Sequence, residues 1–185
     1  LVYSPINFQN AVQTQALLKG IKDYSIQKYG LPIFTAIEEE GGANNSPLAN
    51  ALGLDRVSSA SELGNQGLTA IEQAAISRVN YVKDNQFNLL LSTIADVSPA
   101  LDTAYRLRTY GTDANVVAAM VAADIMATKN AGMMSTLKYF PGKANASDNG
   151  MGILSSTETL EELSKGSLIS YQAGIDAGAT FVMIG

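Results

Sequence analysis

The chemistry open to this chain rests on a few charged side chains that stand where short apolar runs end. Pro32-Ile33-Phe34-Thr35-Ala36-Ile37 leads into Glu38-Glu39-Glu40-Gly41-Gly42, Phe87 to Ala95 leads into Asp96, and Met133 to Leu137 leads into Lys138-Tyr139-Phe140-Pro141-Gly142. Arg108 stands in Tyr105-Arg106-Leu107-Arg108-Thr109-Tyr110-Gly111. Carboxylates, an Arg and a Lys gathered at one place form strong charge-assisted hydrogen bonds to a ligand with many hydroxyls, and a sugar is the obvious candidate. Plainer readings stand beside this one. Three consecutive Glu also suit a solvated turn, Asp96 also suits a loop that it holds through its own backbone, and Arg106 and Arg108 also suit surface stacking on Tyr105 or Tyr110. Lys138 is the hardest to dismiss, because a lysine after an apolar run must leave the core toward something. The pair Met133-Met134 reads as core packing.

Composition removes many alternatives. The 185 residues include no His, no Cys and no Trp, which excludes imidazole or thiolate zinc sites, His-held haem, Ser-His-Asp and Cys-His nucleophile systems, and disulfide frameworks. Catalysis would have to run on Asp, Glu, Lys, Tyr, Ser or Thr, and neither a metal nor a cofactor is expected. Twelve Lys and Arg against seventeen Asp and Glu give a formal net charge of −5, and the basic residues are scattered, so no nucleic-acid partner is expected. No apolar run reaches the ~18 residues of a membrane-spanning helix. The start Leu1-Val2-Tyr3 has no Met and no basic segment followed by an apolar stretch, which reads as an interior or processed segment. The lack of Cys leaves the compartment open between cytoplasm and a bacterial exterior or cell surface.

The elements that must position these residues follow from periodicity. Pro32 to Ile37, Phe87 to Ala95, Met133 to Lys138 and Thr180 to Ile184 are short, nearly continuous apolar runs, the pattern of strands covered on both faces, with Leu1 to Tyr3 as the tail of a fifth. Between them, apolar residues recur at helical spacing: Val12, Ala16, Leu17 and Ile21; Ile71, Ala74, Ala75, Val79 and Val82; Val116, Ala119, Met120, Ala123, Ile125 and Met126; Leu160, Leu163, Leu168, Ile169 and Ala173. Gly30, Gly132 and Gly178 fit left-handed helix exits, and Thr157 offers a hydroxyl cap to the fourth helix. Alternating strands and helices with Gly-marked links predict a parallel β/α fold. No strand leads into a Gly-x-Gly-x-x-Gly or Gly-x-x-x-x-Gly-Lys turn, which favours a TIM-barrel-like arrangement over a nucleotide-binding sheet. About five strands and four helices are visible where a full barrel has eight of each, so residues 1–185 read as a single domain segment of an incomplete barrel. Either a second copy or a segment outside this one would complete it.

The order of the motifs resembles the N-terminal catalytic domain of glycoside hydrolase family 3, which includes bacterial β-N-acetylhexosaminidases. Pro32 through Gly42 is similar to that family's strand ending in Asp-Gln-Glu-Gly-Gly, and Leu91 through Val97 to its Phe-Ala-Pro-Val-Ala-Asp-Val. Arg108 through Asp113 resembles its Arg-Ser-Phe-Gly-Glu-Asp, and Thr136 through Gly142 its Thr-Leu-Lys-His-Phe-Pro-Gly. Ala173 through Met183 resembles its Ala-x-x-Ala-Gly-Ala-x-x-Val-Met segment. The resemblance implies that Glu38, Arg108 and Lys138 bind the sugar, with Asp96 organising a loop nearby and Tyr139 where the family has a sugar-contacting His.

The departures carry as much meaning. Two further Arg positions of the family fall on Ala43 and Ser46, and the loop that supplies the acid/base Asp-x-His pair reads Lys143-Ala144-Asn145 and Ser147-Asp148-Asn149-Gly150 here. Asp148 is the only carboxylate of that loop and the sole candidate for a makeshift acid, without a His partner to tune it. The family's nucleophilic Asp falls on a later strand, past the position matching Gly185. A retaining glycosidase needs both groups, so the expectation is a catalytically impaired domain, a pseudoenzyme that binds a sugar or cell-wall glycan weakly. Two alternatives stand: an active retaining β-glycosidase whose nucleophile lies outside this chain, and a non-catalytic interaction or scaffold domain.

Overall fold

The computed structural model describes residues 1–97, 103–143, 147–148 and 154–185. Five strands, β1 (Val2–Tyr3), β2 (Ala36–Ile37), β3 (Leu89–Leu90), β4 (Met134–Phe140) and, after the β5–β6 ribbon (Ser147–Asp148 with Leu154–Ser155), β7 (Phe181–Ile184), form one parallel sheet in the order β1-β2-β3-β4-β7. All the expected strands are present. The order follows the chain without reversal, as in a barrel wall and unlike a doubly wound sheet.

The wall is curved. Phe34, just before β2, meets Phe181, at the start of β7, with ring centroids 5.6 Å apart. Three strand spacings separate those strands, roughly 14 Å in a flat sheet, so the sheet bends the two rings toward each other. It is not closed: among the described residues β1 pairs only with β2 and β7 only with β4.

The long helices fall on the predicted stripes. They are α1 (Ala11–Tyr29), α4 (Leu68–Asp84) and α6 (Ala114–Asn130), and α1 ends at Gly30 with φ 75°. The fourth stripe differs: it is broken at Gly166 into α7 (Leu160–Lys165) and α8 (Ser167–Asp176), and its cap is Thr159, not Thr157. Thr159 wins because Glu162 stands three residues on and completes a reciprocal capping box, which Thr157 with Leu160 cannot do. The short helices α2 (Pro47–Leu52), α3 (Ala60–Gln66) and α5 (Thr103–Arg106) carry too few turns to show a period. Ser59-x-x-Glu62, a capping box at the start of α3, was the readable sign of one of them.

Two apolar clusters pack helices against the sheet. Leu137 and Ala95 meet Val117, Val121, Ile125 and Tyr171, while Ile37 and Leu90 meet Leu18, Leu48, Val79 and Val82. Charged residues interrupt both helix stripes. Arg78 lies on the line of Ile71, Ala75 and Val82 in α4, and Asp124 on the line of Val117, Val121 and Thr128 in α6, and both are buried. They form an ion pair in which the Arg78 guanidinium meets Asp124 Oδ1. Thr93 and Tyr110 donate hydroxyl hydrogen bonds to the other carboxylate oxygen at 2.7 and 3.0 Å.

Candidate functional site

The charged residues meet at the C-terminal ends of β2 and β4. Each of the three consecutive Glu has a different task, and the solvated-turn reading fails for two of them. Glu39 is buried; its carboxylate accepts the Leu48 and Ala49 N–H groups at 2.8 and 3.4 Å and the Tyr81 hydroxyl at 3.0 Å. These N–H groups belong to the first turn of α2, which has no partner for them within the helix. Burial pushes the Glu39 carboxyl above its ordinary value despite the hydrogen bonds. A carboxyl whose folded pKa is raised withdraws stability as pH rises through that range. Glu39→Gln keeps an acceptor for Leu48 and a group for Tyr81 without the charge, so thermal melts at pH 7 are expected to show equal or higher stability, whereas Glu39→Ala loses about 1–3 kcal/mol. Equal losses in both variants would show that the charge itself holds α2. The resembling family motif has Gln at this position.

Glu40 holds the site together. Arg108 grips it with two hydrogen bonds, Nε to Oε2 at 2.8 Å and Nη2 to Oε1 at 2.7 Å, and Lys138 Nζ lies 2.7 Å from the same Oε1. Burial alone would raise the Glu40 carboxyl, but the Arg108 hydrogen bonds and the Lys138 charge outweigh it and hold it below the usual carboxylate range. Lys138 is completely buried. Its burial disfavours the ammonium, yet Glu40 and Glu38 together raise its pKa.

Glu38 is the open member of the set. Its side chain is 51% exposed while one oxygen accepts from Lys138 at 2.9 Å. Tyr139 completes the rim: Arg108 Nη2 donates to its hydroxyl at 3.1 Å, and the guanidinium lies over the Tyr105 ring at 5.5 Å and the Tyr139 ring at 5.9 Å. The stacking of Arg108 on Tyr105 that the sequence allowed is therefore real and serves the site. Arg108 Nη1 has no hydrogen-bond partner among the described residues, which leaves one donor edge free.

Asp96 is the anchor beneath. It is buried and accepts hydroxyl hydrogen bonds from Tyr105 and Tyr171, each 2.8 Å, and the Lys143 backbone N–H at 2.7 Å. It thus ties the loops after β3 and β4 together and faces no open space. The side chain of Asp148, the candidate acid, lies outside the described residues.

Glycine shapes the turns that carry these groups. Gly41 has φ 112°, and a Cβ there would sit 2.3 Å from the Ser58 carbonyl oxygen, so a side chain is excluded by backbone geometry and by space. Gly142 has φ 142°, and a Cβ would press to 3.0 Å from the Ser167 hydroxyl. Beside the site, Tyr139, Lys143, Ser156 and Gly185 line a hollow of about 200 Å³. A roomier groove of about 470 Å³ lies on the outside between α4 and α6, lined by Ile76, Met126 and Ala127, and holds none of the site groups. No group of three or more carboxylates among the described residues is placed to hold a metal ion.

Glu38, Arg108, Lys138 and Tyr139 lie together at the ends of β2 and β4, with Asp96 one layer below. Glu39, Glu40, Arg78 and Asp124 were not singled out. For Arg78 and Asp124 the signal was their position on apolar helix faces; Glu39 and Glu40 had none apart from adjacency to Glu38.

The curved β/α wall carries its charged residues at the strand ends, where barrel folds place their functional groups. The Glycosyl hydrolase family 3 N terminal domain profile matches residues 1–185, and the chain belongs to that family. A beta-hexosaminidase of Stenotrophomonas maltophilia is 32% identical over 120 residues, 64% of this chain and 36% of its own length. The beta-hexosaminidase LpqI of Mycobacterium bovis is 25% identical over 156 residues, 84% of this chain and 40% of its own. In structure, NagZ from Neisseria gonorrhoeae in complex with N-trifluoroacetyl-D-glucosamine superposes with a TM-score of 0.88 at 21% identity, covering all of this chain and 55% of that one. A beta-N-acetylhexosaminidase from Beutenbergia cavernae gives 0.78 at 25% identity over 94% of this chain and 52% of its own. The chain thus spans well under half of these curated relatives and about half of these structures.

Proposed function

We propose that this domain binds a pyranose sugar in the cleft formed by Glu38, Arg108, Lys138 and Tyr139, weakly, and that it is impaired in hydrolysis. The observation that carries this reading is the half-exposed Glu38 carboxylate held on a fully buried Lys138 at the strand ends. A fixed acceptor beside a free Arg108 edge suits paired sugar hydroxyls. Lys138 has no exposed surface, so a hydroxyl reaches its ammonium only by displacing Glu38. That cost, and the loss of charged donors where the family resemblance places Arg at positions 43 and 46, favour millimolar affinity, about −4 kcal/mol. The impairment rests on the absence of any His in the chain, since the resembling hexosaminidases take their acid/base from an Asp-x-His loop.

The test is ligand-observed NMR with N-acetylglucosamine, a ligand chosen because one similar structure holds N-trifluoroacetyl-D-glucosamine and another is named a beta-N-acetylhexosaminidase. Saturable millimolar binding that falls at least fivefold in Arg108→Ala and in Glu38→Gln is expected. Micromolar binding untouched by both would place the site elsewhere. A second reading, an active β-glycosidase, is favoured by the coverage: more than half of each curated relative lies outside the match and could hold a nucleophile. Turnover of an aryl β-N-acetylglucosaminide by the complete polypeptide would establish it and sink the impaired reading.

A further inference from the structure

Among the described residues, Lys143 is the one cation beside the site that the fold has fixed and left without a counter-charge. Its ammonium lies 4.7 Å from the Tyr139 ring centroid, and it forms no ion pair with any described carboxylate. The described carboxylates nearest to it are all committed. Glu40 is shared by Arg108 and Lys138, Glu38 is held by Lys138, and Asp96 receives two tyrosine hydroxyls and the Lys143 backbone N–H.

The lysine is also preorganised. Its backbone is pinned to Asp96 at 2.7 Å, Gly142 before it packs closely on Ser167, and the Tyr139 ring under it is held through the hydroxyl by Arg108. An ammonium over an aromatic face gains a cation–π attraction without losing its three donors. The hollow it borders, about 200 Å³ with Tyr139, Ser156 and Gly185, is smaller than the ~300–1,000 Å³ of a complete ligand site. It fits a substituent of a ligand whose ring lies elsewhere.

We propose that Lys143 on the face of Tyr139 receives a carboxylate of the bound sugar, so that the cleft prefers a hexuronate over the corresponding neutral hexose. This rests on the reading of the cleft as a sugar site and adds to it the charge class of the ligand. A single ammonium matches a monoanion. A phosphate dianion would need a second donor, and the Ser156 hydroxyl in the same hollow is already turned to Glu158 at 3.1 Å.

The experiment uses the complete polypeptide and three probes, methyl β-glucoside and methyl β-glucuronoside, which differ only at the sixth carbon, and glucose 6-phosphate, with N-acetylglucosamine as the test of the cleft itself. Calorimetry or ligand-observed NMR is expected to show the glucuronoside binding about tenfold more tightly than the glucoside, the lower end for a charge-assisted hydrogen bond at a half-buried site. Lys143→Gln is expected to bring those two affinities together, and Lys143→Arg to retain a preference. Raising salt should narrow the gap. If the glucuronoside binds no tighter than the glucoside while Arg108→Ala weakens both, the sugar cleft stands and the carboxylate assignment falls. If glucose 6-phosphate binds tightest, the charge class is wrong. If no probe, N-acetylglucosamine included, shows saturable binding, the sugar reading fails and this inference with it.

Discussion

Replacing Lys138 with Ala is expected to destabilise the domain by about 3 kcal/mol, the low end of what removing one partner of a buried pair costs. Glu40 would remain buried with Arg108 as its sole cation, and Glu38 would lose its anchor. For a domain of this size the melting temperature should fall by roughly 6–12 °C. Lys138→Met fills most of the volume, so a similar loss in that variant would attribute the effect to charge and not to a cavity. The pH dependence follows from the directions of the two shifts. Glu40 is held below its ordinary value, so its contribution is present above the unfolded carboxylate range, near pH 4.3, and is lost as pH falls through its folded value. Lys138 is raised, so its contribution is complete below about pH 10.4 and is lost as pH rises through its folded value. The gap between native and variant should therefore be flat between those limits and close in acid. Urea titrations at several pH values measure it; a loss under 1 kcal/mol at pH 7 would show that Arg108 alone satisfies Glu40.

Asp124→Ala is expected to cost more, about 3–5 kcal/mol. It would leave Arg78 charged and 3% exposed, with the Nε of that guanidinium already lacking a hydrogen-bond partner, and would strip the acceptor from Thr93 and Tyr110. The consequence reaches the cleft through Thr93. This β-branched residue has φ 92°, and its carbonyl accepts the Lys138 N–H at 3.2 Å. An L side chain in that region is sterically costly, and the hydroxyl bond to Asp124 is what the surroundings supply to hold it there. Arg78 also reaches the Glu40 carbonyl at 3.5 Å. Weaker sugar binding should accompany the loss of stability, measured in the cold where the variant stays folded. The double variant Arg78→Met, Asp124→Leu should recover much of the stability, because an apolar pair removes both desolvation costs. If it recovers stability but not binding, the ion pair acts by positioning Thr93. A single variant as stable as the native protein would remove the network from the account.

The sequence by itself determined the class of fold and which charged residues follow its apolar runs. Nearly continuous apolar runs and period-3.6 apolar patterns report which backbone faces are dry, and that is a local property of consecutive residues; hence the five strands, the long helices and the Gly exits were all legible. Charge following an apolar run likewise marks Glu38, Asp96 and Lys138, but the expectation that such a charge leaves the core holds only for Glu38; Asp96 and Lys138 stay buried because tyrosine hydroxyls and carboxylates meet them there. Only the tertiary structure decided what each charge does there. Glu38, Glu39 and Glu40 are chemically alike and adjacent, yet one faces solvent, one binds the first turn of α2 and one joins Arg108 to Lys138, because successive residues leaving a strand point in different directions and meet partners 9 to 100 positions away. The same holds for Arg78 and Asp124, 46 residues apart: each looks like a local fault in an apolar stripe, and only the packing of α4 on α6 turns two unfavourable burials into one neutral pair.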